Sequence, residues 1–126
     1  MTSIAIFHKA LKMNLDYLIL VQELEIEKVQ KLKRYLDALE SANSIMILFA
    51  LNKLGKARAK QIQIEIARRI SHIVSLGSIQ LRLNKLIEQG FVIREGNHFQ
   101  LSNEGKKLAK IANQLLEIIE KEIASP

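Results

Sequence analysis

All five glycines of this 126-residue chain, Gly55, Gly77, Gly90, Gly96 and Gly105, fall between positions 55 and 105, and the only proline is the terminal Pro126. Glycine and proline punctuate regular structure, so this spacing predicts long uninterrupted helices at both ends and short elements joined by turns between them. Apolar residues make up 48% of the chain and charged ones 25%, which is the balance of a globular protein and excludes wholesale disorder. At about 150 residues per domain the length suits one compact unit with an appendage. The absence of cysteine removes disulfide frameworks, thiol catalysis and cysteine-based zinc sites, and is consistent with a reducing cytoplasm. The longest purely apolar runs, such as Ile45 to Leu51, are seven residues, far below the roughly 20 that a spanning helix needs, so no membrane span is expected. The start, MTSIAIFHKALKMNLD, carries charges inside its apolar stretch and has no small-residue cleavage site, which argues against a signal peptide and for a cytoplasmic location.

The net charge of +6 is unevenly distributed. Residues 1–52 hold six basic and six acidic side chains, and residues 95–126 hold four and five. Residues 53–94 carry Lys53, Lys56, Arg58, Lys60, Arg68, Arg69, Arg82, Lys85 and Arg94 against Glu65 and Glu88, a balance of +7 on the segment that also holds most of the glycines. Such a concentration points to a polyanionic partner, most commonly nucleic acid, the alternative being a solvated basic face with no partner.

Over residues 4–39, Ile4, Phe7, Leu11, Leu15, Leu18, Gln22, Ile26, Val29, Leu32, Leu36 and Leu39 recur in steps of three or four with a mean of 3.5. That heptad-like period predicts a long amphipathic helix. At 1.5 Å per residue it would reach about 55 Å, too long for a small domain to cover, so a second copy of the chain is its simplest cover. Asn14 or Asp16 can cap a second helix and split the segment, and the alternation from Leu18 to Ile26 also permits a strand. Asn43 and Ser44 are the next cap candidates, ahead of a helix from Ile45 to Leu54. A short helix follows over 59–70, with Ile62, Ile66, Ala67 and Ile70 inward. A third runs from about Leu76 to Gln89 and is closed by Gly90, with Leu76, Ile79, Leu83, Leu86 and Ile87 on one face. Gly96-Asn97 between two short apolar runs predicts a hairpin over 91–101. Ser102 can cap a last helix to about Ile123, whose Leu108, Ile111, Leu115 and Ile118 form a stripe.

Three helices followed by a hairpin is the order of a winged helix-turn-helix. Ser75-Leu76-Gly77-Ser78-Ile79, then Leu83, Leu86 and Gly90-Phe91-Val92, resembles the recognition-helix signature of PadR and MarR-like transcription regulators. Phe99-Gln100-Leu101-Ser102-Asn103-Glu104-Gly105 is similar to the PadR Tyr-x-Leu-Thr-x-x-Gly run, and Glu65-Ile66-Ala67-Arg68-Arg69-Ile70 to the helix before the recognition helix. The similarity spans roughly residues 44–110. Gln80 stands where that family usually has tyrosine, and the long helix precedes the DNA-binding unit instead of following it. The resemblance implies a transcription regulator that binds DNA as a dimer.

A recognition helix buries one stripe and offers small and polar residues to the major groove from the other. Ser75, Ser78, Gln80, Arg82, Asn84 and Lys85 lie off the buried stripe, and Gly77 permits close approach of the backbone. Gln80 and Asn84 suit adenine edges and Arg82 suits guanine, the alternative being ordinary surface polar residues, while Leu81 toward the groove means either a methyl contact to thymine or a different placement of the helix. Lys53, Lys56, Arg58, Lys60 and Lys85 flank the helix-turn-helix and Arg94 opens the wing, which makes them candidates for phosphate contacts.

His8, His72 and His98 are isolated, so neither a metal nor another cofactor is expected. Glu23, Glu25 and Glu27 lie on opposite sides of a helix, and the chain has no Walker loop, GxGxxG or GxSxG motif, so nothing supports an enzyme. The expectation is a mainly α, homodimeric, sequence-specific double-stranded DNA-binding protein. Its segments are a helical dimerisation segment at 1–42, a winged helix at 43–103 and a C-terminal helix at 104–126. A protein that coats DNA without sequence preference and a winged helix used for protein interaction are the alternatives.

Overall fold

The structure is a computed structural model that describes residues 15–124, with side chains described for 22–123. In chain order the elements are α1 (Leu15–Leu39), α2 (Ala42–Leu54), β1 (Lys56–Ala57), α3 (Ala59–Ile70), α4 (Leu76–Glu88), β2 (Val92–Glu95), β3 (His98–Leu101) and α5 (Asn103–Ala124). The chain divides into two compact units, Met1–Arg34 and Tyr35–Pro126. Ile4, Phe7, Leu11, His8 and the Asn14 cap lie outside the described residues, and with them the choice between one helix and two over 1–42. The strand reading of 18–26 is overturned, because these residues are helical.

In the first unit the described part of the periodic stripe, Ile26, Val29 and Leu32, is more than half exposed. The second unit holds the core. Ile47, Leu48 and Leu51 of α2, Ile62 and Ile66 of α3, Ile79, Leu83 and Leu86 of α4, Phe91, and Leu108 of α5 are all essentially inaccessible to solvent. The last turn of α1 joins them through Ala38 and the partly buried Tyr35 and Leu39. The buried stripe of α4 follows the predicted period, as do Ile62 and Ile66 of α3. Ile70, expected inward, is instead 42% exposed, since α3 ends there and Ser71 turns the chain in the left-handed conformation.

Helix starts follow local capping chemistry. Ser41, not Asn43 or Ser44, caps α2: its Oγ accepts from the Ser44 N–H at 3.3 Å, which brings the helix start forward to Ala42, and the Ser44 side chain is buried within the first turn. Ser75 caps α4, its Oγ accepting from the Ser78 N–H at 3.1 Å. Between these, the Arg58 N–H donates to Gln61 Oε1 at 2.8 Å at the start of α3. Gln63 Nε2 donates to the Val74 carbonyl at 2.8 Å, tying the turn of the helix-turn-helix to its first helix.

The hairpin forms as expected, with Val92 opposite Leu101 and Glu95 opposite His98, and Gly96 at φ 60° in its turn. A third strand went unread in the sequence. Lys56–Ala57 pairs antiparallel with Gln100 and Phe99, giving the order β1-β3-β2. Two residues have no periodicity to detect, and only the arrival of β3 beside them makes the strand.

The end of α4 is bound to the start of α5. The Phe91 N–H donates to the Leu86 carbonyl at 2.9 Å and the Gly90 N–H to Ile87 at 3.0 Å, with Gly90 at φ 85°. This paired closure needs a left-handed residue after the helix and turns Phe91 inward. The Phe91 ring meets Tyr35 edge-on at 5.3 Å, and the Tyr35 hydroxyl donates to Glu104. Ser102 donates from its N–H to the Phe91 carbonyl at 3.0 Å and from its Oγ to the Gly90 carbonyl at 2.6 Å, while its Oγ accepts from the Gly105 N–H at 3.0 Å. One serine therefore caps α5 and anchors the exit of α4, which holds α4 in a set orientation to the wing.

Candidate nucleic-acid interface

Between the exposed face of α4, the start of α3 and the hairpin lies a cleft of about 460 Å³ lined by Arg58, Ala59, Lys60, Gln80, Asn84, Arg94, Asn97 and Phe99. Five of the residues singled out in the sequence, Arg58, Lys60, Gln80, Asn84 and Arg94, thus meet on one concave surface, although up to 36 positions separate them. Among the described residues no carboxylate lines it. Gln80 and Asn84 are one helical turn apart on α4, so their amides stand one above the other. Arg94 is positioned from two sides: its Nε donates to the Gly96 carbonyl at 2.8 Å and its guanidinium lies 5.6 Å from the Phe99 ring centre.

The remaining candidates are not among its lining residues. Ser75, Gly77 and Ser78 form the first turn of α4, and the serine hydroxyls are 2.8 Å apart in a hydrogen bond. Apart from its chain neighbours and the backbone of its own helix, no atom lies within 4 Å of the point where a Gly77 Cβ would stand, so that stretch of backbone is open. Leu81 is 68% exposed on the same helix. Arg82 is half-buried, and Lys85 is exposed in the last turn of α4. Lys56 lies along the strand edge, in a neighbouring cleft with Gln100 and Lys106. Asn97 and Phe99 were missed as lining residues. The expected hairpin placed them in the wing, but nothing in their spacing shows which way they face.

The basic charge of the middle segment does not all reach this surface. Lys53 donates to Glu65 Oε1 at 2.7 Å, with Arg69 Nε at 3.6 Å and Arg68 Nη1 at 3.9 Å from the same carboxylate. Lys53 and Arg69 line a separate cleft with Phe49, Lys106, Lys110 and Asn113. Glu65 is 3% exposed, and its position on the inward face of α3 was not anticipated. The hydrogen bond from Lys53 holds its carboxyl below the ordinary carboxylate range, against desolvation, with the charges of Lys53, Arg69 and Arg68 adding to the lowering. A carboxyl depressed by folding stabilises the native state above its unfolded value near 4.5 and loses that contribution as pH falls through the lower folded value. Denaturant unfolding is therefore expected to show stability falling as the pH drops below about 4.5. Glu65→Gln should be less stable at pH 7 and respond less to acid.

No protein-family model matches the chain, and no curated protein matches it at a significant level. Solved structures do. F93 from STIV, a winged-helix DNA-binding protein, is 22% identical with a TM-score of 0.56, over 61% of this chain and 89% of that one. The hsRosR-S1 structure is 23% identical with a TM-score of 0.58, over 71% and 82%. A MarR family protein of Mycobacterium tuberculosis is 22% identical with a TM-score of 0.55, over 89% and 80%. At these identities the likeness is one of architecture, and together with the helix order and three-stranded sheet it identifies the fold of this chain as a winged helix.

Proposed function

We propose that this protein is a dimeric, sequence-specific double-stranded DNA-binding protein that regulates transcription in the cytoplasm, with α4 in the major groove and the β2–β3 wing against the backbone. The cleft that gathers Arg58, Lys60 and Arg94 around Gln80 and Asn84, with no carboxylate lining it among the described residues, carries this reading. Cations at the rim neutralise phosphates and fix the register, while amides on the helix reach base edges. Ser75, Ser78, Arg82 and Lys85, elsewhere on α4, are assigned as further contacts, and Gly77 lets its backbone approach the duplex. The resemblance to regulators and the DNA-binding neighbour F93 support the same reading. So do the exposed apolar residues of the two long helices, Ile26, Val29, Leu32 and Leu36 of α1 and Leu115, Ile118, Ile119 and Ile123 of α5, which suit burial against a second copy. No catalytic role is assigned.

Titrating a fluorescent random-sequence duplex at several salt concentrations tests the interface. Binding at low salt that weakens with a log-log slope of about −0.9 per neutralised phosphate is expected, whereas a solvated face gives a shallow slope. Selection from random oligonucleotides should then return a near-palindromic site with half-sites a whole number of helical turns apart. No enrichment would favour a DNA-coating protein, and no binding at all a protein-interaction module. Sedimentation of the full chain is expected to give the mass of two copies, and a monomer would remove the dimer.

A further inference from the structure

The wing carries an acid beside the proposed phosphate path. Glu95, the last residue of β2, accepts Lys56 Nζ at 2.7 Å on one carboxylate oxygen and Gln100 Nε2 at 3.2 Å on the other. Lys56 sits on β1 opposite Gln100 of β3, and Gln100 sits opposite Ile93 of β2, so the lysine side chain stretches across the middle strand to reach the acid. Both partners are about half exposed, 47% for Lys56 and 56% for Glu95. In chain position Lys56 belongs with the phosphate contacts, two residues before Arg58. In the free protein its charge is already matched.

We propose that Glu95 is an intramolecular competitor of DNA for the ammonium of Lys56, occupying the donor that a phosphate oxygen would take and so lowering affinity for duplex of any sequence. The inference rests on the reading of this face as the DNA interface. An exposed ion pair is weak and exchanges readily, so Lys56 can change partners, but each exchange leaves a carboxylate unpaired next to the polyanion. A lysine paired in this way contributes little to counterion release. Because phosphate contacts carry no sequence information, weakening one of them leaves base contacts with a larger share of the binding free energy.

Four proteins decide it: wild type, Glu95→Gln, Lys56→Gln and the double variant, each titrated with a random-sequence duplex over a salt series. Glu95→Gln is expected to bind about three- to fivefold more tightly, with a slope steeper by about 0.9 per subunit. Lys56→Gln alone should weaken binding by leaving Glu95 unpaired, and the double variant should bind like wild type, without the gain. Unchanged or weaker binding by Glu95→Gln would overturn the competitor role, the weaker case showing that the pair steadies the wing for binding. A gain equally large without Lys56 would also overturn it, since Glu95 would then act by plain repulsion. Both side chains are exposed, so thermal unfolding should be nearly the same in all four. Glu95→Ala provides a second variant if Glu95→Gln unfolds early. Failure of the wild type to bind at low salt overturns the interface reading itself, whereas binding with an indifferent Glu95→Gln overturns the competitor alone.

Discussion

Replacing Arg58 and Arg94 together by alanine is expected to weaken binding of a random-sequence duplex at low salt at least tenfold and to reduce the log-log salt slope by about 1.8 per subunit. Both arginines line the cleft. Arg58 stands at the start of α3, its backbone fixed by Gln61, and Arg94 is braced by the Gly96 carbonyl and the Phe99 ring. Preorganised cations lose less conformational entropy on binding than free ones, which is why Arg94 should matter more than the exposed Lys85. Replacing Gln80 and Asn84 by alanine should act differently. The slope should stay near that of wild type, while preference among selected sites flattens by about 1–3 kcal/mol for each lost bidentate base contact. Equal losses of slope from both pairs would mean that the amides touch only the backbone, and an unchanged slope in the arginine variant would remove the cleft from the phosphate path. Arg94→Lys separates charge from packing, since it keeps the former and loses the planar contact with Phe99.

Gly105→Ala should lower the melting temperature by roughly 10 °C, corresponding to about 3 kcal/mol, with an unchanged salt slope in whatever protein remains folded. In an exposed helix the same change stabilises by about 1 kcal/mol, because alanine restricts the unfolded chain and glycine does not. Here the sign reverses. A Cβ at position 105 would overlap the Phe91 carbonyl oxygen, lie 3.0 Å from its carbon and 3.4 Å from the Leu101 Cβ. The obstacle is backbone that already accepts the Ser102 N–H and follows the closure of α4, so it cannot rotate aside as a side chain would. Relief requires α5 to move off the core, exposing Leu108 and Ala109, which are now buried. A melting temperature at or above that of wild type would show that the junction between α4 and α5 is looser than its hydrogen bonds indicate.

The core helices α3 and α4 were legible because each buries one face at a fixed period. Ile79, Leu83 and Leu86 on α4 and Ile62 and Ile66 on α3 repeat every three or four residues, and the core they form requires that repeat. The hairpin was legible from Gly96-Asn97, whose turn conformation few other pairs adopt. Ile70 was misplaced because periodicity says nothing of where a helix stops, and the left-handed Ser71 ends α3 before that side chain can turn inward. The strand Lys56–Ala57 and the buried Glu65 were illegible for a related reason. Each depends on residues far away in the chain, β3 for the strand, and Lys53 with the packing of α2 for the carboxylate.

From the sequence by itself came the helix order, the hairpin, the stripe facing the core and the concentration of positive charge on residues 53–94, because all of these are local in the chain or additive along it. Only the tertiary structure decided how that charge is shared. It sends Lys53 and Arg69 to Glu65, pairs Lys56 with Glu95, and leaves Arg58, Lys60 and Arg94 around Gln80 and Asn84. Charge adds along a chain whatever its conformation, but a cation's availability to a partner depends on which carboxylate folding brings within about 4 Å of it.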